Sequence, residues 1–131
     1  MSSIFSKIIA GEIPAHKVAE TSEYLAFLDI NPLREGHVLV IPKIEVEYIF
    51  DMEDGNYAGL MIFAKVVAKA IKKAVPCTKV GVAVIGLEVP HVHVHLIPMD
   101  NVDDMNFSKP KLNPTEKELS EMALRILECF E

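Results

Sequence analysis

The longest amphipathic stretch of the sequence runs from about Asp54 to Val75, and it lies between short apolar segments rather than at an end of the chain. Its apolar residues recur at helical spacing and form one stripe, at positions 60, 63, 64, 67, 71 and 75. Pro76 marks the end of this helix, because proline cannot continue the helical hydrogen-bond pattern. This stretch is therefore predicted to be the main helix of the fold.

Short β-prone segments lie on both sides of this helix, and turns rich in proline, glycine and polar residues separate them. The predicted strands are 16–20, 24–28 and 38–42 before the helix, and 80–85 and 91–98 after it. Because strands and helices do not alternate regularly, this order predicts an α+β fold with a five-stranded, mainly antiparallel sheet.

Two shorter helices are predicted near the ends of the chain. The apolar residues of Ile4–Ile9 are spaced as in a helix, and Gly11 is a typical residue just beyond a helix C-terminus. Near the other end, Thr115 and Glu118 have the spacing of a capping box and precede a second apolar stripe. We therefore expect a terminal helix after the last strand.

The length and composition indicate a small globular protein. We interpret residues 1–131 as one domain, with a core over residues 2–100 and a helical extension over residues 101–131. The formal net charge of −6 argues against a nucleic-acid partner, since such binding depends on many lysine and arginine contacts to phosphates. Cys77 and Cys129 are far apart in sequence, so neither a disulfide framework nor a thiolate metal site is indicated.

The apolar content also suggests how the protein is assembled and where it acts. Half of the residues are hydrophobic, which is high for so small a domain, and a second subunit could cover part of that surface. We therefore expect a homodimer. The sequence has neither a signal-peptide pattern nor an apolar run of membrane-spanning length, so we expect a cytoplasmic protein without a membrane partner.

Three histidines, His91, His93 and His95, alternate with valines in an extended setting. Side chains of a strand alternate between its two faces, so the three imidazoles are expected on one face. One interpretation is a transition-metal site completed by His37 or Asp29. The other is nucleophilic catalysis, in which one imidazole forms a covalent phosphohistidine and a neighbouring histidine manages a proton. The spacing alone does not choose between them.

The segment His91-Val-His-Val-His-Leu-Ile97 resembles the His-x-His-x-His-x-x signature of the histidine-triad (HIT) family, in which x is apolar. Four further segments resemble the family's nucleotide-binding framework: Ile4–Pro14, Ala26–Pro32, Gly36–Lys43 and Glu88–His91. The resemblance covers residues 2 to about 100. It implies the HIT fold, a homodimer, and hydrolysis at the α-phosphate of an AMP-like nucleotide through a covalent nucleotidyl-histidine, without a cofactor. Nucleoside phosphoramidates and dinucleoside polyphosphates are the implied substrates.

The resemblance also implies a role for individual residues. His93 corresponds to the nucleophile, His91 and His95 to the histidines that flank it, and His37 to a separate histidine that supports the triad. Asp29 corresponds to the acid that binds the ribose hydroxyls. The remaining implied substrate-binding residues are the apolar wall around the base, Phe5, Ile13, Phe27 and Ile30, and Glu88 in a loop near the phosphates.

The sequence departs from the family pattern at two places. Leu87 stands where nucleotide-binding relatives have a glutamine, in a loop that is shorter than theirs. Ser3 and Ser6 stand where some bacterial relatives have a CxxC zinc site, so no structural zinc is expected. The altered loop leaves a nucleotide-binding or scaffolding protein with weak catalysis as an alternative function, beside a histidine-ligated metal enzyme.

Overall fold

The computed structural model describes residues 3–130, so the outermost residues of the predicted domain, and residue 2 of its predicted core, lie outside the described residues. Three helices and five strands follow one another along the chain: α1 (Ile4–Ile9), β1 (Lys17–Glu20), β2 (Tyr24–Leu28), β3 (Val38–Pro42), α2 (Asp54–Ala74), β4 (Lys79–Ala83), β5 (Val94–Met99) and α3 (Glu116–Leu127). Short 3₁₀ turns, which the sequence did not predict, occupy Ile49–Asp51 and Val102–Met105.

The five strands form one sheet in the order β1-β2-β3-β5-β4, and every neighbouring pair is antiparallel. This confirms the predicted α+β class and the five-stranded antiparallel sheet. Within the part of the chain that the structure describes, no helix is long and apolar enough to cross a membrane.

The predicted last strand was wrong at its N-terminal end, because β5 begins at Val94 and not at His91. Its pairing with β3 starts at the register pair Val40 and Val94. Upstream of this pair, Val92 N–H donates a hydrogen bond to the carbonyl of Val46 in a loop, and the carbonyl of Pro42 accepts one from the His91 ring. His91 and His93 therefore lie in an extended segment that leads into the strand.

Each face of the sheet has its own apolar cluster. Helices α2 and α3 pack on one face, where the buried residues of α2 are Leu60, Ala64, Val67, Ala70, Ile71 and Ala74. This agrees with most of the predicted stripe. Helix α1 packs on the other face through Phe5 and Ile8, which contact the β2 and β3 residues of opposite parity. The period-two pattern of the strands thus separates the two clusters.

The ends of two helices are formed by residues that the sequence indicated. The side chain of Thr115 accepts a hydrogen bond from the Glu118 N–H, and the Glu118 carboxylate accepts one from the Thr115 N–H, so the predicted capping box is present at α3. Helix α1 is followed by Gly11, which has a φ of 81°. Glycine adopts this left-handed conformation without the steric cost of a Cβ atom.

Candidate functional site

The four histidines singled out in the sequence lie together on the sheet face opposite α2, near α1. All four are buried: His37, His91, His93 and His95. The ring centroid of His95 lies 4.9 Å from that of His93 and 5.2 Å from that of His37. The sheet register explains part of this arrangement, because His95 is paired with Leu39, two residues after His37. The structure thus brings His37, just before β3, and His95, in β5, into one cluster.

His37 is held in one protonation pattern by the turn that precedes it. The backbone N–H of Leu33 donates a hydrogen bond to His37 Nδ1 at 3.1 Å, so the proton of the neutral ring must be on Nε2. Burial, followed by the charges of His95, Lys111 and His93, lowers the pKa of His37 to about 3. At neutral pH this ring is therefore an uncharged donor through Nε2.

The His37 ring in turn fixes His95. His37 Nε2–H donates to His95 Nδ1 at 3.0 Å, which leaves the proton of neutral His95 on its own Nε2. Burial, and then the charge of His93, lowers the pKa of His95 to about 4. His95 therefore presents an N–H donor from its far nitrogen.

His93 carries its proton on the other ring nitrogen, Nδ1, and not on Nε2 as His37 and His95 do. Its Nδ1 lies 2.8 Å from the backbone carbonyl of His91, and a carbonyl can only accept, so Nδ1 carries the proton. The lone pair of the neutral ring is then on Nε2. This is the nitrogen that a nucleophilic histidine needs to have free.

The outer nitrogens of His93 and His95 are open to a ligand. Every side-chain N or O that is shielded from solvent in residues 3–130 has a hydrogen-bond partner. Nε2 of His93 and Nε2 of His95 make no hydrogen bond within this part of the chain, so both must reach solvent. The cluster therefore offers one acceptor and one donor side by side.

His91 is enclosed by protein on both sides of its ring. Nε2–H donates to the Pro42 carbonyl at 2.9 Å, and Nδ1 accepts from the Ser3 hydroxyl at 2.8 Å. Burial lowers the pKa of His91, although the Pro42 carbonyl opposes this shift. Since both nitrogens are occupied, His91 is placed to hold the backbone carbonyl that accepts from His93, and not to contact a phosphate.

A polar cluster that sequence reasoning missed connects helix α1 to His91. The carboxylate of Glu45 accepts hydrogen bonds from the Ser3 N–H at 2.6 Å and from the Ser6 hydroxyl at 2.7 Å. The Ser3 hydroxyl caps α1 by accepting from the Ser6 N–H, and also donates to His91. The hydrogen bonds that Ser3 and Ser6 donate to the Glu45 carboxylate lower the pKa of Glu45 to about 2. No local pattern could reveal this cluster, because Glu45 is distant in sequence from both serines.

Asp29 lies just beyond β2 and next to the histidines. Its backbone N–H donates to the His37 carbonyl at 3.0 Å, and its carboxylate accepts from the Asn31 N–H at 2.9 Å. The second carboxylate oxygen lies 3.7 Å from His37 Nε2. Burial raises the pKa of Asp29, against the lowering effects of the Asn31 N–H, His93 and Lys111. A half-buried carboxylate in this position can accept hydrogen bonds from the hydroxyls of a ligand.

The apolar residues assigned to a base-binding wall divide into two groups. Phe5 and Phe27 are buried in the cluster beneath α1, Ile13 packs against that cluster, and the Phe5 ring centroid lies 4.9 Å from that of His93. In contrast, Ile30 is exposed beside Asp29. Glu88 is also exposed, in the loop between β4 and β5.

Asp29, His37 and His95 could in principle hold a metal ion, because one ligand atom from each lies within 4.8 Å of the others. The hydrogen bonds oppose this use of the cluster. A metal would need the lone pair of His37 Nε2, yet the Leu33 N–H already requires a lone pair on Nδ1 of the same ring. A neutral imidazole has only one such lone pair, so the cluster fits a hydrogen-bonded chain better than a metal centre.

The extension after β5 reaches the site, which sequence reasoning did not anticipate. The ring of Phe107 packs edge-on against His95, with 4.8 Å between centroids. The Leu112 N–H donates to the Pro32 carbonyl at 2.9 Å. Phe107 stands in a polar, proline-punctuated segment without periodicity, so only the three-dimensional structure shows this contact.

Comparisons with known proteins show which sequences and structures this chain is similar to. A family model described as the HIT domain matches residues 10–102. An adenosine 5′-monophosphoramidase of Schizosaccharomyces pombe is 41% identical over 102 residues, which cover 77% of each chain. An uncharacterised HIT-like protein of Borreliella burgdorferi is 37% identical over 131 residues, 94% of each chain. The crystal structure of a HIT-like protein from Bartonella henselae, described as involved in cell-cycle regulation, has a TM-score of 0.86 at 29% identity and covers 98% of this chain and 96% of its own.

Proposed function

Because this chain belongs to the HIT family, we propose that it is a hydrolase that attacks the α-phosphorus of a bound nucleotide with Nε2 of His93. The observation that carries the proposal is the pair of open nitrogens, a lone pair on His93 and an N–H on His95. Phosphoryl transfer to a histidine needs this combination, a nucleophile beside a donor to the phosphoryl oxygens.

The first step forms a nucleotidyl-histidine. The lone pair on His93 Nε2 makes a bond to phosphorus while the bond from phosphorus to the leaving group breaks. The leaving group departs with that electron pair, and the nitrogen of a phosphoramidate takes a proton from solvent and leaves as a neutral amine. The imidazole becomes positively charged, and the His91 carbonyl stabilises this charge through the hydrogen bond from Nδ1–H. His95 Nε2–H donates to a phosphoryl oxygen.

The second step releases the product. Water attacks phosphorus, the bond between phosphorus and Nε2 breaks, and its electrons return to the ring as a lone pair. The products are a nucleoside monophosphate and the original neutral His93, with the protons of water passing to product and solvent. Neither step requires a metal ion or another cofactor.

The proposed substrates are nucleoside phosphoramidates, with dinucleoside polyphosphates as a further class. The name of the S. pombe relative supports the first class. In this proposal Asp29 accepts the ribose hydroxyls, while Phe5, Ile13, Phe27 and Ile30 surround the base and Glu88 lies near the phosphates. The half-buried carboxylate of Asp29 next to the histidines supports its assignment.

The direct test compares wild-type protein with His93→Ala on adenosine phosphoramidate. We expect the variant to lose nearly all turnover but to bind AMP within about tenfold of wild type, because the lost bond forms chiefly in the transition state. Product formation can be followed by chromatography and AMP binding by calorimetry. Wild-type turnover in the variant would refute the assignment.

A nucleotide-binding protein with weak catalysis is the second candidate function. Leu87 favours it, because this residue is 90% exposed and offers no side-chain hydrogen bond to a phosphate. Tight AMP binding by the wild type, together with negligible turnover of the phosphoramidate, would support this second function.

A metal enzyme is the third alternative. Loss of turnover on treatment with a chelator, and recovery with Zn²⁺, would support it.

We further propose that the protein is a cytoplasmic homodimer. The support for a dimer is an apolar outer surface on α2, where Ile62 is 64% and Val66 is 50% exposed, and Val82 on the edge strand β4 is 52% exposed. Exposed apolar surface of this kind is often covered by another subunit. Light scattering coupled to gel filtration should give twice the monomer mass, and a monomer for Ile62→Glu.

A further inference from the structure

The segment 102–114, here called the strap, joins the sheet to α3 and runs beside the candidate site. It is attached to the turn that precedes His37. The Leu112 N–H donates to the Pro32 carbonyl, and the guanidinium of Arg34 donates to the Asp104 carboxylate at 2.6 Å. Because these partners lie in the 31–36 turn, the strap is held at a fixed place relative to His37.

The strap also contacts the histidine cluster itself. The Phe107 ring packs against the ring of His95, which is the residue that presents an open N–H. The Phe107 carbonyl accepts a hydrogen bond from Lys111 Nζ at 2.6 Å, and the Lys109 carbonyl accepts another at 3.2 Å. The ammonium group of Lys111 is thus oriented by the backbone of the same segment that covers His95.

This ammonium brings positive charge to the candidate site. The charge of Lys111 acts on both Asp29 and His37: it opposes the rise that burial causes in the pKa of Asp29, and it contributes to the fall in the pKa of His37. An ammonium has three N–H donors, and two are used by the carbonyls of Phe107 and Lys109. One donor remains for a ligand. The neutral rings of His37 and His95 cannot supply charge, and the protein as a whole is negatively charged.

We propose that Lys111 is a phosphate-binding residue, whose ammonium donates a charge-assisted hydrogen bond to a phosphate oxygen of the nucleotide held at His93. The inference rests on the proposed function and extends it to a residue outside the matched HIT domain. Lysine binds phosphate as a compact point charge, and here the ammonium is held by the carbonyls of Phe107 and Lys109.

A purely structural role for Lys111 predicts a different result. If its hydrogen bonds to the strap carbonyls only brace the segment, loss of the ammonium would affect all ligands of the site alike. A phosphate contact affects only ligands that carry phosphate. AMP and adenosine are therefore the probes to compare, since they share the base and the ribose.

The experiment measures AMP and adenosine binding by calorimetry for wild type, Lys111→Met and Lys109→Met. Lys109 is the matched control, because it is an exposed lysine of the same strap and pairs with Asp103 at 3.0 Å. We expect Lys111→Met to weaken AMP binding about tenfold and adenosine binding less than about twofold. Lys109→Met should match wild type for both ligands, and Lys111→Arg should retain most of the AMP affinity.

Salt provides a second readout, because an exposed charge contact is screened by ions. AMP affinity of the wild type should fall more steeply with ionic strength than that of Lys111→Met. Equal weakening of AMP and adenosine, or unchanged AMP binding, in Lys111→Met would overturn the inference while leaving His93 as the nucleophile. If the wild type bound no AMP, the proposed function and this inference would both fall. Since Lys111 is exposed, the variants should fold, and circular dichroism would verify this.

Discussion

At the scale of single residues, hydrogen-bond direction makes four chemically identical imidazoles into different groups. A backbone N–H fixes His37, His37 fixes His95, and a backbone carbonyl fixes His93. The fourth ring, His91, has both nitrogens bonded to protein. The sequence pattern indicated the residues of the cluster, but not these directions, because each depends on a partner from elsewhere in the fold.

The contact between Ser3 and His91 leads to a first prediction. Ser3→Ala removes the cap of α1 and leaves the buried acceptor on His91 with only the more distant Ser6 hydroxyl, at 3.5 Å, as a donor. We expect the free energy of unfolding to fall by about 1–3 kcal/mol. Turnover of the folded protein should fall about tenfold, because the His91 carbonyl that orients His93 is less well fixed.

Denaturant unfolding and steady-state kinetics test this prediction, with Ser120→Ala in the exposed face of α3 as a control. Ser3→Thr keeps the hydroxyl group and should restore most of the lost activity. Nitrogen chemical shifts of the His91 ring would report its tautomer directly. A Ser3→Ala variant as stable and active as wild type would show that this contact has no positioning role.

The low pKa values of the buried histidines predict how stability depends on pH. His37 and His95 titrate at about 3 and 4 in the folded protein, below the value of about 6.5 expected for an unfolded chain. As pH falls below that value, the unfolded chain binds protons that the folded protein does not. The contribution of the two neutral rings to the free energy of unfolding is therefore complete above pH 6.5, and it is lost progressively as the pH falls towards 4 for His95 and 3 for His37.

Urea unfolding at pH 7.5, 6.5, 5.5 and 5 would measure this loss, above the range in which most carboxylates titrate. We expect the midpoint urea concentration to fall over this range, and to fall less steeply in His37→Asn, which lacks one of the titrating rings. The raised pKa of Asp29 acts with the opposite sign, since protonation of this carboxyl favours the folded state as pH falls. A midpoint independent of pH in the wild type would contradict the buried, neutral state of the rings.

At the scale of helices and strands, the sequence predicted correctly those features that depend on residues close to one another in the chain. The stripe of α2 and the capping box of α3 both depend on residues within a few positions of one another, and both are present. The predicted start of β5 was wrong, because the path of the chain before Val94 depends on a distant contact, the hydrogen bond from His91 to Pro42. The role of the strap was missed for the same reason, since Phe107 meets His95 only in the folded chain.

The turn before β3 leads to a prediction about Gly36. This residue has a φ of 88°, and a Cβ atom there would lie 2.8 Å from Cγ2 of Val75. Gly36→Ala should therefore combine left-handed strain with a clash, and lower the free energy of unfolding by about 2–4 kcal/mol. It should also reduce turnover, because His37 follows directly.

Gly11→Ala is the matched control for that substitution. Gly11 has a similar φ of 81°, but a Cβ atom there would meet nothing within 4 Å. Only the backbone strain is added, so we expect a loss of about 1 kcal/mol and little change in turnover. Equal losses of stability in the two variants would contradict the close packing of Gly36 against Val75.

At the scale of the whole molecule, the two faces of the sheet differ in what they carry: one carries the larger apolar core, and the other carries the candidate site. Helices α2 and α3 cover one face and form the larger core, while the other face carries the histidine cluster beneath α1. The strap follows β5 in the chain and lies on that second face, against His95. The HIT domain supplies the histidines, and the extension beyond the matched residues 10–102 supplies Phe107 and Lys111.

The covalent intermediate on His93 is the central claim, and intact-protein mass spectrometry tests it most directly. Wild-type protein mixed with adenosine phosphoramidate and quenched in alkaline denaturant within the first turnover should gain the mass of one adenylyl group, on the peptide that contains His93; an alkaline quench is needed because the bond between phosphorus and histidine is hydrolysed in acid. His93→Ala should gain none. An unchanged mass in a wild-type protein that turns over the substrate, or the same adduct in His93→Ala, would contradict the account.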